Sequence, residues 1–326
     1  MDNEFVAGTY KRFPVEIVSG KGSKVVDVNG KEYVDMGSGI GVTSFGIADD
    51  VWQAAITAQL GKLQHISNLY YTEPCAKLAK MLCERTGLKK VFFANSGAEA
   101  NEGAIKVARK YAAEKKGADH YTIITLNNSF HGRTLTTLAA TGQDHFHKLF
   151  QPLTPGFVST PANDFEALKE LALQTKAAGI MMECIQGEGG GLPIGAVLMG
   201  EKVQHVLGYG DHGSTYGGNP VCCAGAISII ERMDEAFLSR VDQLSDYMFS
   251  EFRGAKGVES VAGMGLMVGL KTTAPAADVV KECINRGVLC LTAKDKVRLL
   301  PALNIPREDL EFAVETIKAV AAELGG

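Results

Sequence analysis

A serine, a glycine and a small residue at the start of a predicted helix can seat an anion. In "NSGAEAN", residues 95–101, a short strand (Val91 to Ala94) runs into the turn Asn95-Ser96-Gly97, and a long helix begins at Ala98. The first N–H groups of a helix lack internal partners and sit at the positive end of its dipole. A phosphate could therefore lie over Ser96, Gly97 and Ala98. The same residues also make an ordinary βα turn with a serine cap, and in isolation that simpler reading is the stronger one.

Three further stretches carry chemistry of a related kind. "NNSFHGRTLTTLAATG" places Phe130, His131 and Arg133 in a loop after a strand. Phe130 offers a flat face, and the Arg133 fork suits a carboxylate held by two parallel hydrogen bonds. The plain alternative is a surface turn with a helix starting near Thr134. "YGDHGSTYGGNPVCCAGA" sets Ser214 and Thr215, both able to donate to an anion, before an apolar helix. A loop that simply enters a helix accounts for it equally. In "KVRLLPAL", Arg298 sits in an apolar strand, where an unpaired guanidinium would be costly to bury. Either it reaches solvent or it awaits a carboxylate, and Glu188 in "ECIQGEGGGLPIGAV" is a candidate partner.

The elements that must position these residues alternate. "DDVWQAAITAQLGKLQ" reads as an amphipathic helix capped by Asp49 or Asp50. "EPCAKLAKMLCERTGLKK" reads as another, with Pro74 in its first turn and Gly87 at its end. "YTIITL" and "GIMMEC" are strands with the helix "FEALKELALQTKAA" between them. Such alternation predicts an α/β unit with a mostly parallel sheet flanked by helices. Before it, "KVVDVNGKEYVDM" is a hairpin turning at Asn29-Gly30. After about residue 232 come the long helix "DEAFLSRVDQLSDYMFSEF" and the strands "GLMVGLK" and "VRLL", with a helix between them. A last helix follows Pro306 and buries Leu310, Ala313, Val314, Ile317, Val320 and Leu324. The expected organisation is a segment 1–48 packing with a smaller α+β domain at 233–326, and a large domain at 49–232.

Composition narrows the partners. With 326 residues, 46% hydrophobic and 21% charged, the chain reads as soluble and globular. A net charge of −4 without a basic block argues against nucleic acid. No run of about 18 apolar residues predicts a membrane span, and "MDNEFVAGTYKRF" has no apolar signal core. Seven cysteines without a C-x-x-C pair read as reduced thiols rather than a metal site, which fits the cytoplasm. A nucleotide enzyme of the doubly wound class fits poorly, since no G-x-G-x-x-G follows the first strand of a βαβ unit.

Taken together, a phosphate seat, a flat face and two arginines resemble the class III (subgroup II) aminotransferases, which use pyridoxal 5'-phosphate. The likeness runs from about Tyr10 to the C-terminus through "SGIGVTSFG", "LYYTEP", "FFANSGAEANE", "SFHGRT", "QGEGG", "GGLPIGAV", "HGSTYGGNP", "GMGLMVG" and "VRLLPAL". It implies aminotransferase fold type I. It implies transamination between N-acetylornithine, or a related donor such as ornithine, succinylornithine or 4-aminobutyrate, and 2-oxoglutarate. Gly97 and Ala98, with Ser96, would hold the cofactor phosphate, Phe130 would stack on its ring, and Arg133 would grip the substrate α-carboxylate. The resemblance also implies a homodimer with shared sites. Thr215 would bind the neighbouring subunit's cofactor phosphate, and Ser214 would lie near its substrate. Glu188 would mask Arg298 while the amino donor is bound and free it for 2-oxoglutarate.

The likeness breaks at one place. Between "QGEGG" and "GGLPIGAV" such enzymes carry an Asp-Glu-Val-Gln strand, then a second strand with the lysine that holds the cofactor. Here Gly190 runs directly into Gly191. On the order of two βαβ units, each about 30 residues or more, is missing from the pattern. That lysine and the aspartate that keeps the pyridine nitrogen protonated go with it, and Lys202 lies beyond the strand on the wrong side. The expectation is an incomplete sheet and a chain without turnover. A non-catalytic relic that still binds the cofactor, or that pairs with a full-length subunit, stands as the alternative.

Overall fold

A computed structural model describes residues 2–183 and 191–326 of the chain. Glu188, Cys184 and Gly190 lie outside the described residues. The chain divides into two compact units, Met1–Asp49 with Asp234–Gly326, and Asp50–Met233.

The smaller unit opens with strands β1 (Ile17–Lys21), β2 (Lys24–Asp27) and β3 (Glu32–Asp35), paired antiparallel in that order. The hairpin between β2 and β3 turns at Asn29-Gly30, where Gly30 takes φ 82° and the Asp27 carboxylate accepts from the N–H groups of Asn29 and Lys31. This is the Asx-turn chemistry that makes Asp and Gly frequent at turns.

The larger unit follows. Its helices include Asp50–Leu60 and Glu73–Thr86, the latter with a proline in its first turn and a left-handed Gly87 at its end. Strand β4 (Lys90–Ala94) leads into the helix Gly97–Lys116. Then come β5 (Thr122–Leu126), the short helix Leu135–Ala140, β6 (Phe157–Thr160), the helix Phe165–Gln174, β7 (Ala177–Ile180), β8 (Gly195–Met199) and the helix Pro220–Ile230.

Two sheets result rather than one mostly parallel sheet. β5 lies between β6 and β7, parallel to both, while β4 pairs with β8 antiparallel. Among the described residues no helix lies between β7 and β8. β8 pairs not with β7 but with the much earlier β4, antiparallel from Lys90↔Met199 to Ala94↔Gly195. The strand expected at "GIMMEC" starts earlier and ends at Ile180, and the short β6 had no clear pattern to announce it.

Alternation along β4 fixes how its ribbon is covered, since successive side chains point to opposite faces. Phe92 packs with Ala100, Val107, Val197 and Met199 beneath the helix Gly97–Lys116. Phe93 packs the other way, with Leu78, Cys223 and Ile227 from the helices Glu73–Thr86 and Pro220–Ile230. The helix Gly97–Lys116 also reaches the three-stranded sheet, where Ala108 lies against Gly179 of β7. One helix thus lies over both sheets.

The smaller unit continues with the helix Glu235–Phe252, β9 (Val258–Met264), β10 (Met267–Thr272), the helix Ala276–Asn285, β11 (Val288–Leu289), β12 (Leu291–Ala293), β13 (Lys296–Leu299) and the helix Arg307–Leu324. β11 extends the first sheet parallel to β3, and a second antiparallel sheet runs β12-β13-β10-β9. The core between them holds Met248, Phe252, Val268, Leu270, Leu299 and the inner face of the last helix. Leu310, Ala313, Val314, Ile317 and Val320 are fully buried as their spacing predicts, but Leu324, in the last turn of the helix, is 46% exposed.

This contrast sets a stability test. Ile317→Ala is expected to cost about 2–5 kcal/mol through lost burial and the cavity left behind. Leu324→Ala is expected to stay within about 0.5 kcal/mol, as exposed positions do. Urea unfolding midpoints of the two variants check both values.

Candidate active site

The anion seat is built at the C-terminal end of β4. Ser96 is extended (φ −150°, ψ 164°), and its Oγ accepts from the Glu99 N–H at 3.2 Å while its carbonyl accepts from the Ala100 N–H at 3.0 Å. The serine predicted to touch the ligand is therefore used as the helix cap. Among the described residues no group accepts from the N–H of Gly97 or Ala98. Gly97 is exposed, and a Cβ placed on it would meet nothing within 4 Å, so the approach to these donors is clear. The helix behind them is 20 residues long, and its dipole favours an anion there. The Glu99 carboxylate is drawn back to the strand end, accepting from both the backbone N–H and the Nδ2 of Asn95 at 2.8 Å each.

The "SFHGRT" loop lies directly against this helix start. Gly132 has φ 134°, and a Cβ on it would fall 2.5 Å from Thr137 Oγ1 and 2.9 Å from Ala98 Cβ, so only glycine permits the approach. Asn101 Nδ2 donates to the His131 carbonyl at 2.8 Å, and Thr134 Oγ1 donates to Glu102 at 2.5 Å. Thr134 also caps the helix Leu135–Ala140 in a reciprocal box with Thr137. Phe130 is half-buried, and its N–H donates to Glu183 Oε2 at 3.1 Å. Arg133 is exposed, with its guanidinium 4.0 Å from the Phe146 ring centre and 5.3 Å from that of Phe130. His131 is buried, its Nε2 has no partner among the described residues, and burial pushes its imidazole below the ordinary 6.5.

The third stretch meets the first. Ser214 Oγ accepts from Asn95 Nδ2 at 3.1 Å and from the Gly217 N–H at 2.9 Å. Asn68 Nδ2 donates to the carbonyls of Ser214 and Gly217. A Cβ on Gly217 would lie 2.2 Å from the Phe93 carbonyl oxygen, so the loop packs backbone to backbone on β4. Thr215 is exposed, and Asn219 caps the following helix through Val221 and Cys222.

Ser96, Gly97, Ala98 and Ser214 thus gather around one strand end, with Thr215 beside Ser214, and the loop that carries Phe130 and Arg133 packs on Ala98 through Gly132. Arg298 belongs to the other unit, on β13 opposite Gly269, and its Nε is buried without a partner among the described residues. Glu188, its expected partner, is outside the described residues. Sequence reasoning passed over Asn68, Asn101 and Glu183, which hold the loops through side-chain bonds to backbone, and the amide of Asn95, which donates to Glu99 and Ser214. Asn95 and Asn101 flank the seat in "NSGAEAN", and their amides were the available signal.

A family model described as "Aminotransferase class-III" matches residues 5–191 and 189–321. The chain belongs to the class III aminotransferases. It is 42% identical to the acetylornithine aminotransferase of Haemophilus ducreyi, over 99% of this chain and 98% of that protein. It is 36% identical to the acetylornithine aminotransferase of Methanocaldococcus jannaschii, with the same coverage. The ornithine aminotransferase of Toxoplasma gondii, whose active site is partially occupied by PLP, superposes with a TM-score of 0.92 at 27% identity, over 99% of this chain and 93% of that one. The fold is therefore that of the type I aminotransferases, and the cofactor of the family is pyridoxal 5'-phosphate. The alignment to the H. ducreyi protein spans 385 positions and this chain has 326 residues, so at least 59 positions have no residue here. The two matched pieces meet at residues 189–191.

The residues present fit the phosphate end of the cofactor, since two open N–H donors at a helix start are what a phosphate requires. A pH prediction follows from His131. Its folded form favours the neutral ring, so its contribution to stability is complete above about pH 6.5 and is lost as pH falls below that value. Between pH 7.5 and pH 5.5 the native chain is expected to lose more stability than a His131→Gln variant. Urea midpoints at the two pH values check this.

Proposed function

We propose that this polypeptide is of the kind that transaminates N-acetylornithine with 2-oxoglutarate. The observation that carries the reading is that the loop bearing Phe130 and Arg133 packs through Gly132 on Ala98, beside the open Gly97 and Ala98 N–H groups. The acetylornithine aminotransferases at 36–42% identity favour the acylated donor. Ornithine, succinylornithine and 4-aminobutyrate are the competing donors.

Each residue then has a task. The N–H groups of Gly97 and Ala98 hold the phosphate, and Ser96 keeps the helix start open by taking the Glu99 N–H for itself. Phe130 lays its face against the pyridine ring, and Arg133 orients the donor through its α-carboxylate. Glu188 covers Arg298 when the donor is bound and releases it for 2-oxoglutarate. Pyridoxal phosphate, when bound, supplies the electron sink and carries the amino group from donor to acceptor.

The exposed Leu69, Tyr70, Tyr71 and Tyr216 support a homodimer. His65 packs its ring 4.9 Å from that of Tyr216, so these residues border the Ser214-Thr215 loop. A second copy of the chain covering this apolar surface would bring Thr215 to its neighbour's phosphate. Residues 1–48 and 233–326 act as the smaller domain of each subunit, and residues 49–232 as the cofactor domain. The cytoplasm is the proposed location.

The chain as written lacks the lysine that moves the proton and the aspartate that partners the pyridine nitrogen. The break between matched pieces at 189–191 and the division of the large unit into two sheets both support a segment removed at Gly190-Gly191. Loss of a positioned base alone costs about 10²–10⁴-fold in rate. The alternative reading is a relic that binds cofactor without covalent attachment, or that pairs with a full-length subunit.

The test is direct. The purified 326-residue chain, given N-acetylornithine, 2-oxoglutarate and cofactor, is expected to form no glutamate above background. Borohydride should leave no cofactor-sized mass increment. A chain carrying the relatives' segment between Gly190 and Gly191 should gain both. Turnover by the unmodified chain would overturn the inactivity, and a restored chain that ignores N-acetylornithine would overturn the donor.

A further inference from the structure

Arg133 precedes the cap of the helix Leu135–Ala140, stands in an exposed loop, and has a long side chain with about 2 kcal/mol of rotamer entropy to lose on binding. A carboxylate grip needs that guanidinium held in place beforehand. Of the two rings beneath it, the nearer is not Phe130, three residues away, but Phe146, 13 residues away in the chain, with the guanidinium carbon 4.0 Å from its centre.

Phe146 is itself well anchored. It closes the short turn Asp144–Phe146 and donates its N–H to the Gln143 carbonyl at 3.1 Å. Gln143 Nε2 donates to the Ser129 carbonyl at 3.0 Å, which ties this turn to the residue before Phe130. On the other side, His147 Nε2 lies 2.9 Å from the Leu138 carbonyl and 2.8 Å from that of Thr141, so its proton sits on Nε2 and is shared between two acceptors. His145 packs on the Phe146 ring at 3.9 Å. The turn is thus fastened both to the "SFHGRT" loop and to the end of the helix that this loop starts.

We infer that Phe146 is a positioning residue for substrate recognition, a platform that holds the Arg133 guanidinium ready for a carboxylate. Stacking engages the face of the guanidinium and leaves its N–H edge free for a planar, two-point acceptor. The platform fits a ligand that presents a free carboxylate and rejects one in which that group is esterified or amidated. This rests on the reading of Arg133 as the carboxylate grip.

The probe is N-acetylnorvaline, which keeps the acetyl group and α-carboxylate of the proposed donor but carries no reactive amine. Its binding to the unmodified 326-residue chain is measured by calorimetry. The Arg133 Nε–H resonance is followed in parallel as a direct reporter of ring stacking. Arg133→Gln should abolish binding. Phe146→Leu should weaken it about 2- to 30-fold and move the Arg133 resonance toward its unstacked position. Phe146→Tyr, which keeps the ring, should restore both. If Arg133→Gln loses binding and Phe146→Leu does not, the platform is overturned while the carboxylate reading stands. If Phe146→Tyr is as weak as Phe146→Leu, the residue is only a space filler and the inference fails. Unaltered binding by Arg133→Gln, or none by the unmodified chain, overturns the carboxylate reading itself.

Discussion

Backbone crowding at the end of β4 is the constraint on which the rest of the site depends. Two loops and the start of β8 approach this point, and each does so at a glycine. A Cβ on Gly195 would lie 2.2 Å from the Ser96 carbonyl oxygen, one on Gly217 would lie 2.2 Å from that of Phe93, and one on Gly132 would press on Ala98. With the walls this close, the turn from Asn95 to Ala98 has little freedom, and the two open N–H groups are held in position without any dedicated side chain. The amides of Asn68, Asn95 and Asn101 then fasten the loops by bonding to backbone or to one another's neighbours. Their hydrogen bonds fix geometry where packing alone would leave loops adjustable.

Much of this was legible in the residues. Caps and turns were clear because they are local: Pro74, Gly87, Asn29-Gly30 and Thr134 all act within a few residues of where they stand. The inner face of the last helix was clear for the same reason, except for Leu324, which is 46% exposed. The partners of each strand were less legible. β8 runs antiparallel to β4, a strand about a hundred residues earlier, and hydrophobic pattern says nothing about strand direction. The dual use of Ser96 was also hidden, because a hydroxyl at that position can cap a helix or meet a ligand, and only geometry shows that it is spent on Glu99.

The arginines illustrate a second limit. Arg133 was read in a loop and Arg298 in an apolar strand, each as a cation that could take a carboxylate. In the fold, Arg133 is exposed and lies over aromatic rings, whereas Arg298 keeps a buried Nε without a partner among the described residues. The first is satisfied by ring faces and solvent. The second is left with a polar atom that costs energy until something accepts from it.

The helix Gly97–Lys116 covers a ribbon on one part of its length and a separate three-stranded sheet on another. Among the described residues no ladder joins those two sheets, and side chains of one helix pack against both. The two ladders can then open separately, with β5 amides protected by one local transition and β4 amides by another. A helix in that position acts as the hinge pin of the unit's folding landscape, and its small residues Gly103 and Ala108, where it sits closest to the strands, set how tightly the two halves report on each other.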